Sequence, residues 1–411
     1  MDADSGRGIG RRRLIKGAGL ATAGVVGAGT SLLTAGTGNA DPARTDRIPP
    51  DTRPGGAYDR YVAGLAAAGT FSGVVLLAHR GRTVLSRSYG MADRERGIRN
   101  HESTAFTLSS AGKPFHAIAI LQLAQQGRLW LNDPVGRHLT GFAPDVAERV
   151  TIHHLLSGAS GLNSPDEDVR RVFTSREEVR DYYGRWARQA TLAGTPGIPD
   201  TDHVGPIVPI LAMIVEAVSG RTYWEYVEEN IFRRAGMTGS GFYTRPRWLA
   251  DPRIAHPYMT LADGSQVDAL RNLDKGSPYP YVLDRNPGRA FIDAPGDGGF
   301  ATAADLVRFA RALGDGTLLD RHWAQVFTAA KFPHSPGSFS TYGPSAQIIG
   351  GQWMFERAGG NPGVGANWSI YPDTGWVGVI LGNSDGVSLV DVIGQEIQAV
   401  TGVAPDDGSG G

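Results

Sequence analysis

Apolar side chains recur at helical spacing through residues 56–69, G-A-Y-D-R-Y-V-A-G-L-A-A-A-G, and the pattern stops at Gly69. Two β-rich runs follow, F-S-G-V-V-L-L-A-H and T-V-L-S-R-S-Y-G, on either side of R-G-R. Such runs around a short glycine turn predict a hairpin. Helical spacing returns over 113–128, ending at Gly127, and briefly over 151–157. Residues 165–250 hold amphipathic stretches, notably 176–190, 207–219 and 222–233. A further helix is expected over 302–314, with Thr302 as its N-cap. The chain then returns to strand in N-W-S-I-Y-P, D-T-G and W-V-G-V-I-L-G-N, and closes with a helix over about 388–401. Helix, hairpin, many helices, hairpin, helix is the order of a sheet assembled from both chain ends around a mostly helical insertion.

The first forty residues read differently. G-R-R-R-L-I-K at 10–16 precedes a soft, Gly- and Ala-rich apolar run over 17–36, with Gly38 and Ala40 before Asp41. This looks like a twin-arginine export signal with a small-residue cleavage site. The run is near the minimum spanning length and its glycines weaken it, so cleavage is favoured over a stable membrane span. Removing residues 1–40 leaves 35 basic against 39 acidic residues, a net of −4. A secreted or extracytoplasmic, mildly acidic protein is expected, with no nucleic acid partner. Pro42, Pro49, Pro50 and Pro54 make 41–55 a linker, and P-D-D-G-S-G-G at 405–411 is expected to be disordered. The chain has no cysteine, which excludes disulfides, thiolate metal sites and a thiol nucleophile. No H-E-x-x-H occurs and no carboxylate cluster suggests a metal, so neither cofactor nor metal is expected.

One short motif carries chemistry. F-T-L-S-S-A-G-K-P-F-H places Ser110 and Lys113 three residues apart at a helix start, on one face. A serine hydroxyl needs a base within reach, and a lysine serves only if its pKa is lowered. The positive end of a helix disfavours a nearby ammonium and favours an oxyanion. The Ser110 amide itself is placed to hold an oxyanion. Lysine is scarce: only Lys16, Lys113, Lys275 and Lys331 occur, so 36 of the 40 basic residues are arginine. Arginine cannot give up its proton in a protein and lysine can, so Lys113 marks a position where deprotonation matters.

F-T-L-S-S-A-G-K, L-W-L-N-D-P-V and V-T-I-H-H-L-L-S-G-A-S-G-L resemble the serine β-lactamase-like family. V-E-A-V-S-G-R-T-Y, G-D-G-G-F-A-T-A-A-D-L-V-R-F-A-R-A-L and A-G-G-N-P-G-V-G-A-N-W-S-I-Y-P-D continue the likeness in order, from about residue 58 to 400. The family groups class C β-lactamases, D-Ala-D-Ala peptidases and S-x-x-K esterases, amidases and acyltransferases. The resemblance implies an α/β (α+β) fold: an antiparallel sheet from both chain ends, flanked by helices, over 56–140 and 290–404, with a helical insertion over 141–289. It implies Ser110 as nucleophile and Lys113 as base, with a second oxyanion amide near Gly360. His153, His154, Asp133 and Asp305 fall at positions best read as structural.

Two motifs depart from the family. Its second motif, Tyr-x-Asn, would fall at His203, Val204 and Gly205, within D-T-D-H-V-G-P. His203 is then a candidate general base and acid, since imidazole titrates near neutral pH, with Asp200 or Asp202 to orient it. The other reading takes a tyrosine from elsewhere, Tyr182 or Tyr183, or no partner. The third motif, Lys-Thr-Gly or His-x-Gly, is replaced by Arg357, Ala358, Gly359 and Gly360. Gly359 and Gly360 would let a substrate lie against the strand, and Arg357 would offer a fork for a carboxylate. The Pro-Gly and Asp-Gly segments over 276–298 are candidates for a loop over the site.

The expected function is an exported serine hydrolase or acyltransferase working through an acyl-enzyme. Its substrate would be a small molecule or peptide bearing an amide or ester: a D-Ala-D-Ala-like, cell-wall-derived peptide, a β-lactam or a carboxylic ester. The altered motifs argue against an efficient β-lactamase. The alternative is a repurposed binding protein or non-acyl catalyst on the same fold.

Overall fold

The computed structural model describes residues 48–201 and 204–404. The expected export signal, residues 41–47 of the linker, Asp202, His203 and the 405–411 tail lie outside the described residues.

The first helix, α1 (Ala57–Ala67), leads into β1 (Gly73–His79) and β2 (Arg82–Tyr89). Arg80 and Gly81 between them both take positive φ, 50° and 75°. A two-residue turn with both φ positive matches the twist of paired strands, so this hairpin forms where R-G-R predicted it. Next come α2 (Pro114–Gln125), α3 (Arg176–Ala187), α4 (Ile207–Ser219) and α5 (Ala303–Gly314). The expected helix over 222–233 is an α segment, Tyr223–Val227, running on into a π turn, Glu228–Arg233. Residues 251–299 hold short strands and 3-10 turns in place of helix, including the pair Tyr258–Thr260 with Gln266–Asp268.

Six strands then follow: β3 (Pro333–Ser335), β4 (Ser338–Ser340), β5 (Ser345–Ile349), β6 (Gln352–Asn361), β7 (Val364–Tyr371) and β8 (Trp376–Gly382). The last helix is α6 (Leu389–Thr401). One eight-stranded antiparallel sheet runs β2-β1-β8-β7-β6-β5-β4-β3. The two chain ends meet at β1 and β8, in register from Gly73 opposite Gly382 to His79 opposite Trp376.

Both faces of the central strands are covered. Val74, Leu76, Val379 and Leu381 pack into one core with α2, α4 and α5. Val75, Leu77 and Ile380 pack into another with Tyr58 and Val62 of α1 and Val392 and Ile393 of α6. Burial on two faces explains why G-V-V-L-L-A and V-G-V-I-L-G read as unbroken apolar runs. Every residue from Pro114 to Ala124 of α2 is buried. A helix apolar all round belongs in the middle of a protein. Its two buried polar side chains tie it to neighbouring segments, with Gln122 donating to the carbonyls of Asn230 and Leu318 and His116 bonded to that of Gly296. Ser110 and Lys113 therefore sit at the start of a helix buried from Pro114 to Ala124.

Candidate active site

Ser110 occupies a 3-10 turn, Ser109–Gly112, that runs directly into α2. The turn is held from three directions. The Leu108 amide donates to the Gly299 carbonyl at 2.9 Å. Trp368 of β7 donates from its indole to the Ala111 carbonyl at 2.8 Å. Arg357 of β6 donates from Nε to the Ser110 carbonyl at 3.1 Å. Ser109 just before the nucleophile has φ +47°, a left-handed conformation that costs a non-glycine residue roughly 1–2 kcal/mol. Its hydroxyl donates to the Gly360 carbonyl at 2.9 Å, which locks that conformation against β6.

β5 pairs with β6 only as far as Ser345 opposite Glu356. The serine turn packs against the edge of β6 beyond that point, and glycine makes the approach possible. A Cβ on Gly359 would lie 2.3 Å from the Ala111 amide nitrogen and 2.4 Å from the Leu108 carbonyl. In a strand the N–H and C=O of one residue point to the same edge. Since the Gly360 carbonyl meets Ser109, the Gly360 N–H faces the serine turn too, and Gly360 lines the cavity there. The Ser110 N–H belongs to the first turn of a helix, where donors have no intrahelical partner. The Ser110 and Gly360 amides are thus two donors on residues that line one cavity, the pair that an oxyanion requires.

Ser110 and Lys113 open into a cavity of about 640 Å³. Burial lowers the pKa of the Lys113 ammonium to about 8, a shift that Asp297 opposes and that Arg357 and Arg285 reinforce. Roughly a tenth of the side chain is then the free amine at pH 7, far more than for an ordinary lysine. His116, one turn along α2, is pushed down to about 3 by burial, with the Gly296 carbonyl opposing, and is neutral. It holds the loop before Asp297 through a 3.1 Å ring-nitrogen contact with Gly296.

Further polar groups face the same cavity. Glu167 accepts from the Tyr183 hydroxyl at 2.9 Å and from Arg285 at 2.7 Å, and all three line the cavity. Burial and the Glu167 carboxylate raise Tyr183 well above the usual phenol value, so it is a donor here and not a base. Asp293 and Asp297 also line the cavity. Burial, then the neighbouring Asp297, raises Asp293 to about 7, and burial raises Asp297. None of Glu167, Arg285, Asp293 and Asp297 stood out in the sequence. The signal available for Asp297 was G-D-G-G, one acid among glycines that mark close backbone contact.

Ser110, Lys113 and Gly360 are brought together as the sequence suggested, with Gly359 packed on the serine turn. Arg357 is brought to the turn from behind: it spends Nε on the Ser110 carbonyl and is not among the residues lining the cavity. The substrate fork expected of it gives way to support of the nucleophile's own backbone. Asp200 accepts from the Ser160 amide and hydroxyl and from the Gly161 amide, a loop staple in place of the expected orienter. Gly205 lines the cavity. His154 forms a capping box with Thr151, and Asp305 accepts from Gly239 and Ser240, both structural. Asp133 bonds Trp130 and His138 in the same manner. Loop residues Tyr279, Tyr281, Val282 and Asn286 line the cavity from above.

A separate buried group, Asp93, His256 and Asp268, has potential metal-ligating atoms within 4.8 Å of one another. Arg271 donates to both carboxylates, to Asp93 at 2.9 Å, so a guanidinium supplies the positive charge there. None of the three lines the Ser110 cavity.

A two-sided antiparallel sheet, a helical insertion and a helix-start serine with its lysine define a serine β-lactamase-like protein. The profile of the beta-lactamase family matches residues 58–400, and the chain belongs to that family. It is 30% identical to PbpX of Bacillus subtilis (strain 168), a protein named for penicillin binding, over 69% of this chain and 63% of the relative. It is 29% identical to Esterase EstB of Burkholderia gladioli, over 58% of this chain and 64% of the relative. The chain thus spans a little under two thirds of these relatives' lengths. The crystal structure of a penicillin binding protein from Bacillus halodurans superposes with a TM-score of 0.69 at 28% identity, covering 81% of this chain and 97% of that one.

Proposed function

We propose that the protein is an exported serine hydrolase or acyltransferase. The observation that carries this reading is one cavity holding the Ser110 hydroxyl, a lysine with a pKa of about 8 and two backbone donors. The Ser110 oxygen attacks the substrate carbonyl carbon while the Lys113 amine takes its proton. The oxyanion rests on the Ser110 and Gly360 amides. Collapse breaks the bond to the alcohol or amine, which leaves with the proton from Lys113. Water or another acceptor then releases the acyl group from Ser110, and we assign activation of that acceptor to His203.

An ester or amide with an apolar acyl group fits the cavity best. Tyr279 and Tyr281 stack at 6.2 Å on its rim and remain exposed, with Val390 exposed on the rim as well. With Arg357 turned to the Ser110 carbonyl, a carboxylate-terminated peptide has less support. Relatives named for penicillin binding and for esterase activity make those two substrate groups the ones to compare. p-Nitrophenyl esters of increasing chain length, a D-Ala-D-Ala peptide and a chromogenic cephalosporin are incubated with the protein. Ester turnover is expected to exceed the other two and to fall at least roughly 10³-fold in Ser110→Ala. No turnover of any of the three by folded protein would favour a binding role. Export rests on R-R-R-L-I-K; replacing Arg11 and Arg12 by lysine is expected to leave the protein in the cytoplasm.

A further inference from the structure

The loop bearing Asp297 lies against the serine turn with no side chain between them. Gly296 and Gly299 take φ +97° and +65°, which favour glycine. A Cβ on Gly112 would meet the Gly298 Cα at 2.1 Å, and one on Gly298 would meet the Ser109 carbonyl oxygen at 2.6 Å. On its other side a Cβ on Gly296 would meet the Val208 carbonyl at 2.4 Å. His116, three residues after Lys113 on α2, fixes the Gly296 carbonyl, and the Asp297 amide closes a turn onto Ala294 at 3.0 Å. Asp297 is the one side chain in G-D-G-G, and it lines the cavity with Ser110 and Lys113.

We propose that Asp297 is a positioning residue for Lys113: its carboxylate orients the amine and sets the pH above which that amine can take the serine proton. This rests on the roles given to Ser110 and Lys113 above. Charged groups flank the pair on each side. Arg357 on β6 and Arg285 in the overlying loop act on Lys113 in the opposite sense to Asp297, and neutral His116 adds little. Glu167 and Arg285 act on Asp297 in opposite senses. Asp293 neighbours it as a second acid with a raised pKa. A carboxylate beside an ammonium stabilises the charged form. The design is therefore a compromise, in which burial frees the amine and Asp297 keeps it from being lost to its surroundings.

The test is the pH profile of kcat/KM for the wild type, Asp297→Asn and Asp297→Glu on the best ester. Removing the carboxylate lowers the lysine's pKa, so the acid limb of Asp297→Asn is expected about one pH unit lower, with Asp297→Glu close to wild type. A uniform loss at every pH with an unmoved limb would mean a structural role only and overturns the proposal. Four lysines make the direct readout simple. In protein labelled with ¹³C at lysine Cε, the Lys113 resonance, assigned with Lys113→Arg, should titrate at lower pH in Asp297→Asn. In the wild type that resonance should also carry a second, acidic inflection as Asp297 protonates. Its absence overturns the proposal even if Asp297→Asn fails to fold. A wild type that never acylates at Ser110 sinks the hydrolase reading instead, while the lysine titration still tests the pair.

Discussion

A lysine amine is useful as a base only where its charge is disfavoured, and position 113 supplies that by burial. With its pKa lowered to about 8, kcat/KM for an ester is expected to rise with pH and level off above an apparent pKa near 8. Lys113→Arg, which cannot release a proton, should lose that limb along with nearly all activity. A steady-state pH profile distinguishes the two. The neighbouring glycine is just as constrained. Gly359→Ala puts a methyl 2.3 Å from the Ala111 amide nitrogen, an overpacking expected to cost about 1–3 kcal/mol and to move the Gly360 donor. Thermal unfolding and ester turnover should both fall, whereas a variant with wild-type values in both would refute the close approach. At this scale the sequence revealed Ser110 and Lys113, because spacing and the scarcity of lysine single them out. It did not reveal the bond from Arg357 Nε to the Ser110 carbonyl, because a β-strand arginine can serve a substrate or a backbone carbonyl, and that contact arises only from the packing of the serine turn on β6.

Helices and central strands were legible because each carries its own signal. Thr302 ahead of A-A-D-L-V-R-F marked an N-cap, and its side chain does accept from the Asp305 amide at 3.1 Å. Thr302→Ala should destabilise the protein by about 1 kcal/mol, read as a lower urea midpoint with an unchanged slope. No change would mean that Gly239, which lies against Thr302, and the rest of α5 hold the helix start unaided. Strands β3 to β6 were poorly legible. β3 and β4 have three residues each, and β6 is half-buried over most of its length without a clean alternation. Its glycines lower strand propensity for the sake of the serine turn. The cavity's acids were illegible for another reason. Glu167 and Asp297 come from loops with no periodic pattern, distant in sequence from Lys113, and share its cavity only once the chain has folded.

Across the whole molecule, the sheet carries a second buried polar system on the face away from the insertion. Glu396 of α6 and Tyr371 of β7 approach at 3.3 Å, and Gly378 leaves room for the carboxyl, since a Cβ there would lie 2.1 Å from it. Burial raises Glu396 to about 8 and Glu356 to about 7. Both then hold protons that the unfolded chain releases near pH 4.3. Between about pH 5 and pH 8 the folded state binds more protons than the unfolded one, so stability falls as pH rises. Glu396→Gln cannot titrate, and its melting temperature should vary less with pH over that range than the wild type's. An equally steep dependence in the variant would assign the effect to other groups.

All three scales converge on the reactivity of one hydroxyl. The most direct measurement is intact and peptide-mapped mass of the wild type, Ser110→Ala and Lys113→Arg after incubation with a fluorophosphonate at pH 9. A single adduct on the Ser110 peptide of the wild type, absent from Ser110→Ala and strongly slowed in Lys113→Arg, is the predicted result. An adduct elsewhere, or equal labelling in Ser110→Ala, would contradict it.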